Sequence, residues 1–205
     1  MSSAKLQGVD RTGTRLNVKD LISVGIFTTL YFVILMAVGM LGFIPIFIPL
    51  LTVLCPLIGG IPFMLFLTKV KKFGMVWIMG ILAGILMLMG GMGVWAFPTG
   101  ILFGLLADLI FKSGGYVSSK KSVIGYGVFS MWLIGNFIPI FVNREGYVNN
   151  LISGGFGEEY AATLMGYLPD WSFLPLLAAC FVFGVLGALL GRQIMKKHFL
   201  RAGIV

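Results

Sequence analysis

The sequence predicts an all-α integral membrane protein with six transmembrane helices and both termini in the cytoplasm. Composition is the first observation: of the 205 residues, 59% are hydrophobic and 11% are charged, whereas a soluble domain is about 45–50% apolar and about 25% charged. The second observation is six apolar segments, each near the length of about 20 residues that crosses a bilayer. The third is a one-sided distribution of lysine and arginine between those segments.

The six apolar segments follow one another along a single membrane domain. Their predicted boundaries are Leu21–Leu41, Ile44–Leu67, Gly74–Gly90, Phe97–Phe111, Val123–Val142 and Trp171–Ile194. The fourth segment is the shortest, and a start as early as Trp95 would bring it closer to spanning length. We treat each as one membrane crossing.

The second segment is the least regular, because it contains Pro45, Pro49, Pro56 and Pro62. Proline lacks a backbone donor and clashes with the preceding helical turn. Backbone groups freed in this way must find partners inside the protein or in a cavity, since lipid offers none. We therefore expect the second helix to be kinked or partly broken by its prolines and packed against neighbouring helices.

Cations fix the orientation of the predicted helices. Fourteen of the fifteen lie before the first segment, after the second, after the fourth, or at the end of the sixth and beyond it, and the other three connections contain only Arg144. The positive-inside rule places both termini in the cytoplasm of a cell (plasma) membrane protein. The net charge of +8 then reflects topology and not a nucleic-acid partner. We expect a basic cytoplasmic segment at residues 1–19, without a cleavable signal peptide, a membrane domain at 20–195 and a basic cytoplasmic tail at 196–205.

A long outer connection spans residues 143–170 and is richer in polar and aromatic residues than the rest of the chain. Within it, GEEYAATLMGYLPD predicts a short helix with Glu158 and Glu159 in the first turn, where the helix dipole favours anions. Gly166 or Pro169 would end this helix. A connection of this length is usually functional or disordered, and its aromatic content argues against a disordered spacer.

Enzymatic motifs are absent from the sequence. It has no phosphate-binding GxxxxGK[ST] loop, no GxSxG motif and no His/Glu metal pair. The single histidine, His198, lies in the basic tail, and Cys55 and Cys180 lie in apolar runs. We expect no enzyme activity, no metal site and no cofactor.

Polar residues in or beside apolar segments are the first candidates for function. Asp108 lies in the fourth segment, and an intramembrane acid is a candidate ion relay. Lys112 is one turn away, however, and an ion pair at the membrane surface or a contact to a partner protein is the favoured interpretation. Asn136 is a buried amide that needs partners across helices or on a ligand. Arg144 either pairs with acids of its own loop, which we slightly favour, or contacts an anionic group of a solute.

Two further patterns are interpreted against a simpler alternative. Trp95 and Phe97, in GGMGVWAFPTG, form either an interfacial aromatic belt or a platform on which a ligand stacks. Small residues recur four apart, which lets helix backbones approach closely in membranes. Most of these pairs indicate internal packing, but Gly25 and Thr29 are predicted to face a partner protein.

These features resemble those of the substrate-binding S-components of energy-coupling-factor (ECF) transporters. The resemblance rests on a chain of about 200 residues with six spans, on the small-xxx-small pattern of the first helix, and on the opening KDLISVGIFTTLYFVI, which is similar to the Trep_Strep group. S-components usually have alanines where this chain has Gly25 and Thr29. The resemblance implies a subunit that captures a vitamin-like or other small organic solute outside the cell. It also implies a transmembrane coupling subunit and two cytoplasmic ATPases as partners.

Taken together, the residues predict an outward substrate pocket with the long outer connection as its lid. Its predicted solute-binding residues are Trp95, Phe97, Asn136, Asn143, Arg144, Tyr147, Asn150 and Tyr160. Aromatic residues with few charges favour a compact, partly apolar organic solute. Two alternatives are a stand-alone secondary transporter or small channel, and a membrane scaffold without a transport role.

Overall fold

The computed structural model describes residues 16–91 and 93–196, and all regular structure in these residues is helical. Most of the predicted basic segments at 1–19 and 196–205, with His198, therefore lies outside the described residues. The α-helices are α1 (Val18–Gly39), α2 (Phe47–Leu67), α3 (Met75–Met89), α4 (Ala96–Ser113), α5 (Ser119–Ser130), α6 (Ile138–Val142), α7 (Arg144–Ser153), α8 (Glu158–Tyr167) and α9 (Phe173–Ile194). Short 3-10 helices at Met40–Phe43, Met131–Asn136 and Asp170–Ser172 lie between them.

Four helical stretches in the described residues are long and apolar enough to cross a membrane. They are Val18–Phe43, Phe47–Leu67, Ala96–Ser113 and Asp170–Ile194, and Met75–Met89 is a shorter apolar helix. The prediction of membrane-spanning helices is therefore confirmed for four of the six segments. The third and fifth segments are helical, but neither forms a single helix of spanning length.

The second segment is continuous, contrary to part of the sequence-based prediction. Helix α2 contains Pro56 and Pro62 without interruption, so the predicted break is wrong, and the predicted kink stays a prediction. Half of its apolar window is buried, the largest share among the four spans. The buried hydroxyl of Tyr126 donates to the Pro56 carbonyl over 2.8 Å. Both prolines are buried in the protein, and this hydrogen bond ties α2 to α5 beside Pro56.

The break lies instead in the fifth segment, which is divided into α5, a 3-10 helix at Met131–Asn136 and α6. Pro139 stands at the start of α6, where a residue without an N–H costs no helical hydrogen bond. Side-chain hydrogen bonds join this region to neighbouring helices. The Thr99 hydroxyl donates to the Trp132 carbonyl over 2.9 Å, and the Ser130 hydroxyl donates to the Cys180 carbonyl over 2.7 Å.

Glycines set the closest helix contacts. A Cβ on Gly60 would lie 2.2 Å from the backbone of Gly187, so α2 and α9 touch backbone to backbone. A Cβ on Gly80 would lie 2.4 Å from the carbonyl oxygen of Gly100, which brings α3 equally close to α4. The internal packing predicted for small residues four apart is therefore confirmed for Gly80, Gly100 and Gly187, whereas Gly60 is outside those pairs.

Two apolar clusters fill the described part of the protein. The larger one joins α1 to α5 and α9 around fully buried aromatic residues such as Tyr31, Phe63 and Trp132. The smaller one lies where α7 and α8 pack on the membrane helices. It consists of Ile134, Phe137, Ile140, Leu164, Leu168 and Leu176.

Candidate functional site

The long connection at 143–170 folds into α7 and α8, which we call the cover. Helix α8 confirms the predicted short helix, with Glu158 and Glu159 in its first turn. Helix α7 was not predicted, because its sequence REGYVNNLIS has little apolar periodicity. Its start is visible in retrospect: the Asn143 side chain accepts a hydrogen bond from the Gly146 N–H over 3.1 Å, and asparagine is a preferred N-cap residue.

Arg144 joins the two helices of the cover. Its guanidinium donates to the Asp170 carboxylate over 2.8 Å and to the carbonyls of Met165 and Leu168 over 2.9 and 2.8 Å. Those carbonyls belong to the end of α8, where helical carbonyls lack intrahelical donors. The geometry thus gives Arg144 a structural role within its own loop. Arg144 also borders a surface cleft of about 400 Å³ with Glu145, Val148, Asn149 and Met165.

The apolar cluster of Ile134, Phe137, Ile140, Leu164, Leu168 and Leu176 lies beneath the cover, and we call it the covered cluster. Tyr147 and Tyr160 pack on it from the cover. Burial raises the pKa of both tyrosines above the ordinary value, as expected for hydroxyls partly removed from water. The surroundings are therefore apolar, with a few uncharged polar atoms.

The cover is also fastened to the connection between α1 and α2. The Tyr160 hydroxyl donates to the Gly42 carbonyl. The ring of Phe156 stacks on Phe43 with centroids 6.0 Å apart and planes inclined by 20°. Both contacts hold the beginning of α8, whereas Arg144 holds its end.

Asn136 is one of two residues, with Trp77, that have a buried side-chain polar atom without a hydrogen-bond partner among the described residues. Its amide nitrogen donates to the Leu133 carbonyl over 3.2 Å, while its buried Oδ1 accepts no hydrogen bond from the described residues. Buried polar atoms are normally paired, and an exception in a native protein calls for an explanation. Asn136 ends the 3-10 helix that interrupts the fifth segment, and irregular backbone at membrane depth often lines binding sites.

Of the remaining predicted solute-binding residues, the structure brings only the Trp95 region close to Asn136. The backbone of Trp95 and Ala96 lies against Gly135, where a Cβ would be 2.7 Å from the Trp95 carbonyl oxygen, so the Trp95 region adjoins Asn136. The Phe97 backbone packs on Gly84. Asn150 is exposed on α7. The sequence interpretation missed the covered cluster altogether, because its leucines and isoleucines resemble any lipid-facing residue until the cover is placed on them.

Asp108 does not form the predicted ion pair. It is fully buried and accepts hydrogen bonds from the Gly74 and Trp77 N–H groups over 2.8 and 3.1 Å and from the Tyr116 hydroxyl over 2.8 Å. Lys112 instead lies over the Phe73 ring, 4.8 Å from its centroid. The predicted ion pair is therefore wrong. The N-terminus of α3 lies close to Asp108, and its N–H groups, which have no intrahelical acceptor, donate hydrogen bonds to the buried carboxylate.

An Arg144→Ala substitution is expected to loosen the cover and leave the membrane helices folded. The variant loses three hydrogen bonds from a charged donor, which are stronger than neutral ones. Hydrogen–deuterium exchange of α7 and α8 should accelerate, and that of α2 and α9 should stay as in the wild type. Asp170→Asn is the matched control, because it keeps both carbonyl contacts and changes only an acid whose side chain is 91% exposed. Unchanged exchange in Arg144→Ala would contradict the structural role.

The fold defines an integral membrane protein: apolar helices of spanning length surround a glycine-packed core. Among the described residues, no group of His, Cys, Asp and Glu side chains is arranged to hold a metal ion. Residues 18–201 match the family model described as hypothetical bacterial integral membrane protein (Trep_Strep). The chain belongs to this family. Comparison with curated proteins and with solved structures gave no match.

Proposed function

We propose that this protein is the substrate-capture subunit of an ATP-driven importer of the ECF type, for a small and mainly uncharged organic solute. The observation that supports this best is the cover: two ordered helices, fastened at both ends, lie over an apolar cluster next to a buried amide oxygen without a partner. A scaffold without a ligand has no need of such an arrangement. The proposal includes six membrane crossings in a plasma membrane, with both termini cytoplasmic.

The solute would bind beneath the cover, between the covered cluster and the Asn136 region. Asn136 Oδ1 would accept a hydrogen bond from it, and the Tyr147 hydroxyl is the nearby uncharged donor, because the Tyr160 hydroxyl donates to the Gly42 carbonyl. Opening requires release of the contacts at Gly42 and Phe43, while Arg144 keeps α7 and α8 together. Ligand binding favours the closed state only through contacts that the open state lacks.

The energy for transport would come from partners, namely a transmembrane coupling subunit and two cytoplasmic ATPases. The sequence has no nucleotide-binding loop of its own. Helix α1 is the surface that we assign to the coupling subunit. Only 22% of its apolar window is buried, a Cβ on Gly25 would meet nothing within 4 Å, and Thr29 is exposed with its hydroxyl donated to the Gly25 carbonyl.

Native mass spectrometry of the purified protein is the direct test of solute capture. We expect a small organic molecule to co-purify and to be released on unfolding. The Asn136→Leu variant, if folded, should lose it, because the variant removes the acceptor and keeps a similar volume. Retention of the same molecule by this variant would exclude Asn136 from the site.

A Gly25→Leu substitution is expected to weaken association with the coupling subunit without unfolding the protein. The large side chain prevents close approach of another helix, and the monomer has room for it. Co-purification of tagged protein with its partners from native membranes measures the effect. Leu102→Phe on the exposed face of α4 is the control. If the partners co-purified with the Gly25→Leu variant as fully as with the wild type, α1 would be excluded as the docking surface.

A stand-alone secondary transporter is the second candidate. The observation in its favour is the interrupted fifth segment, since discontinuous helices form the sites of many such transporters. It predicts uptake by the protein alone, driven by an ion gradient.

A further inference from the structure

A second recess lies at the edge of the cover, where the end of α8 meets the first turns of α2 and the beginning of α9. It has a volume of about 430 Å³. The side chains on the α2 side include Ile46, Pro49 and Leu50, and those on the α9 side include Trp171, Pro175 and Ala179. We call this recess the α2–α9 groove.

The interior of the groove offers hydrocarbon and no free donor. Its lining contains no charged residue. The Thr52 hydroxyl already donates to the Pro49 carbonyl over 2.7 Å, and the Ser172 hydroxyl donates to the Pro169 carbonyl over 2.6 Å. A polar occupant would lose its hydration without compensation, which is unfavourable. The occupant must therefore be apolar along most of its length.

One end of the groove is amphipathic. Tyr167 and Trp171 line that end, and they are 45% and 73% exposed. Tyrosine and tryptophan concentrate where hydrocarbon meets the polar headgroup region of a bilayer. From Trp171 to Ala179 are eight residues, which at 1.5 Å each extend about 12 Å along the helix. This is close to the hydrocarbon depth of one leaflet, about 15 Å or half of the roughly 30 Å core.

The groove is also continuous with the surface that contacts lipid. It lies between two of the helices that are long and apolar enough to span the membrane. Its rim residue Leu50 is 40% exposed, and the adjacent Leu174 on α9 is 69% exposed. An integral membrane protein covers such a surface with bilayer lipid, so lipid reaches the groove without crossing water.

We propose that the α2–α9 groove is a binding site for one acyl chain of a membrane phospholipid, from the leaflet on the side of the cover. Trp171 and Tyr167 lie beside its headgroup. Leu168 and Leu176 belong both to the groove and to the covered cluster, so a bound chain supports the apolar layer beneath the cover. This site adjoins the proposed solute site through these two leucines, but it does not depend on the proposed transport role.

Photolabelling of the full chain in phosphatidylglycerol nanodiscs tests the proposal. The probe is a phosphatidylglycerol with a diazirine on one acyl chain, and peptide mapping locates the labelled residues. We expect labelling of the groove residues of α2 and α9 to exceed severalfold that of exposed α4 residues such as Leu102 and Leu106. Ala179→Phe should reduce the groove labelling severalfold, because its ring occupies the recess. Ala178→Phe is the matched control, since Ala178 is exposed and does not line the groove.

Leu50→Trp, a rim substitution on the opposite helix, serves as the second filling variant if Ala179→Phe does not fold. Either folded variant should lose groove labelling while α4 labelling stays constant. Three results would overturn the proposal. They are equal labelling of groove and α4, groove labelling unchanged by a folded filling variant, and a dimer that the filling variant converts to a monomer, which would make the groove a protein interface.

Discussion

Gly60→Ala is expected to destabilise the folded protein strongly, although it adds only one methyl group. The new Cβ would lie 2.2 Å from the Gly187 carbonyl carbon and 2.3 Å from its oxygen, and a backbone cannot move aside as a side chain does. Overpacking a well-packed interior costs about 1–3 kcal/mol and occasionally more, and we expect about 3 kcal/mol here. At roughly 2–4 °C for each kcal/mol in a chain of this size, the apparent melting temperature should fall by about 6–12 °C.

Gly25→Ala is the matched control for this substitution. It makes the same chemical change in a membrane helix, but its Cβ would meet nothing within 4 Å. Alanine is favoured over glycine in a helix by up to about 1 kcal/mol, so the melting temperature should stay the same or rise slightly. Equal destabilisation by the two variants would show that α2 and α9 are not in backbone contact.

Asp108→Ala is the second substitution with a large expected effect. It leaves the Gly74 and Trp77 N–H groups and the Tyr116 hydroxyl without their acceptor in a buried site. Each fully buried donor left unpaired costs about 1–3 kcal/mol, and two of these three hydrogen bonds are only partly buried. We therefore expect the lower part of the combined range, a total loss of about 3–5 kcal/mol. Asp108→Asn should cost less, because its amide oxygen still accepts from one side. Thermal unfolding monitored by size-exclusion chromatography in detergent measures both.

Lys112→Ala distinguishes the hydrogen-bonded Asp108 of the structure from the Asp108–Lys112 ion pair that the sequence favoured. Lys112 contacts the Phe73 ring, and an exposed cation–π contact contributes only about 0.5–1 kcal/mol. The variant should therefore be nearly as stable as the wild type. If Lys112→Ala and Asp108→Ala destabilised the protein equally, the two side chains would act as a pair and the assigned hydrogen bonds would be wrong.

Local sequence predicts several features correctly. They are the class of integral membrane protein, the four spanning helices, helix α8 and the glycine contacts between helices. Apolar length predicts a spanning helix because the bilayer thickness fixes the number of residues required. Glycine at a spacing of four predicts close contact, since no other residue lets backbones approach to this distance. The acids Glu158 and Glu159 identify the start of α8 for an equally local reason.

The remaining features depend on residues distant in sequence. Arg144 meets carbonyls more than 20 positions away, and Asp108 meets the N–H of Gly74, 34 positions away. A nearby charge such as Lys112 is therefore a poor guide to the partner of a buried acid. The break in the fifth segment was missed for a related reason: α2 has more prolines, but its continuity depends on how neighbouring helices pack around it.

ATP-dependent uptake in proteoliposomes tests the central claim most directly. The protein is reconstituted alone, or together with the coupling subunit and the two ATPases, and accumulation of the solute identified by mass spectrometry is measured with and without ATP. We predict accumulation only in the complete assembly supplied with ATP, and none by the protein alone under an ion gradient. Gradient-driven uptake by the protein alone would contradict the assignment as a capture subunit.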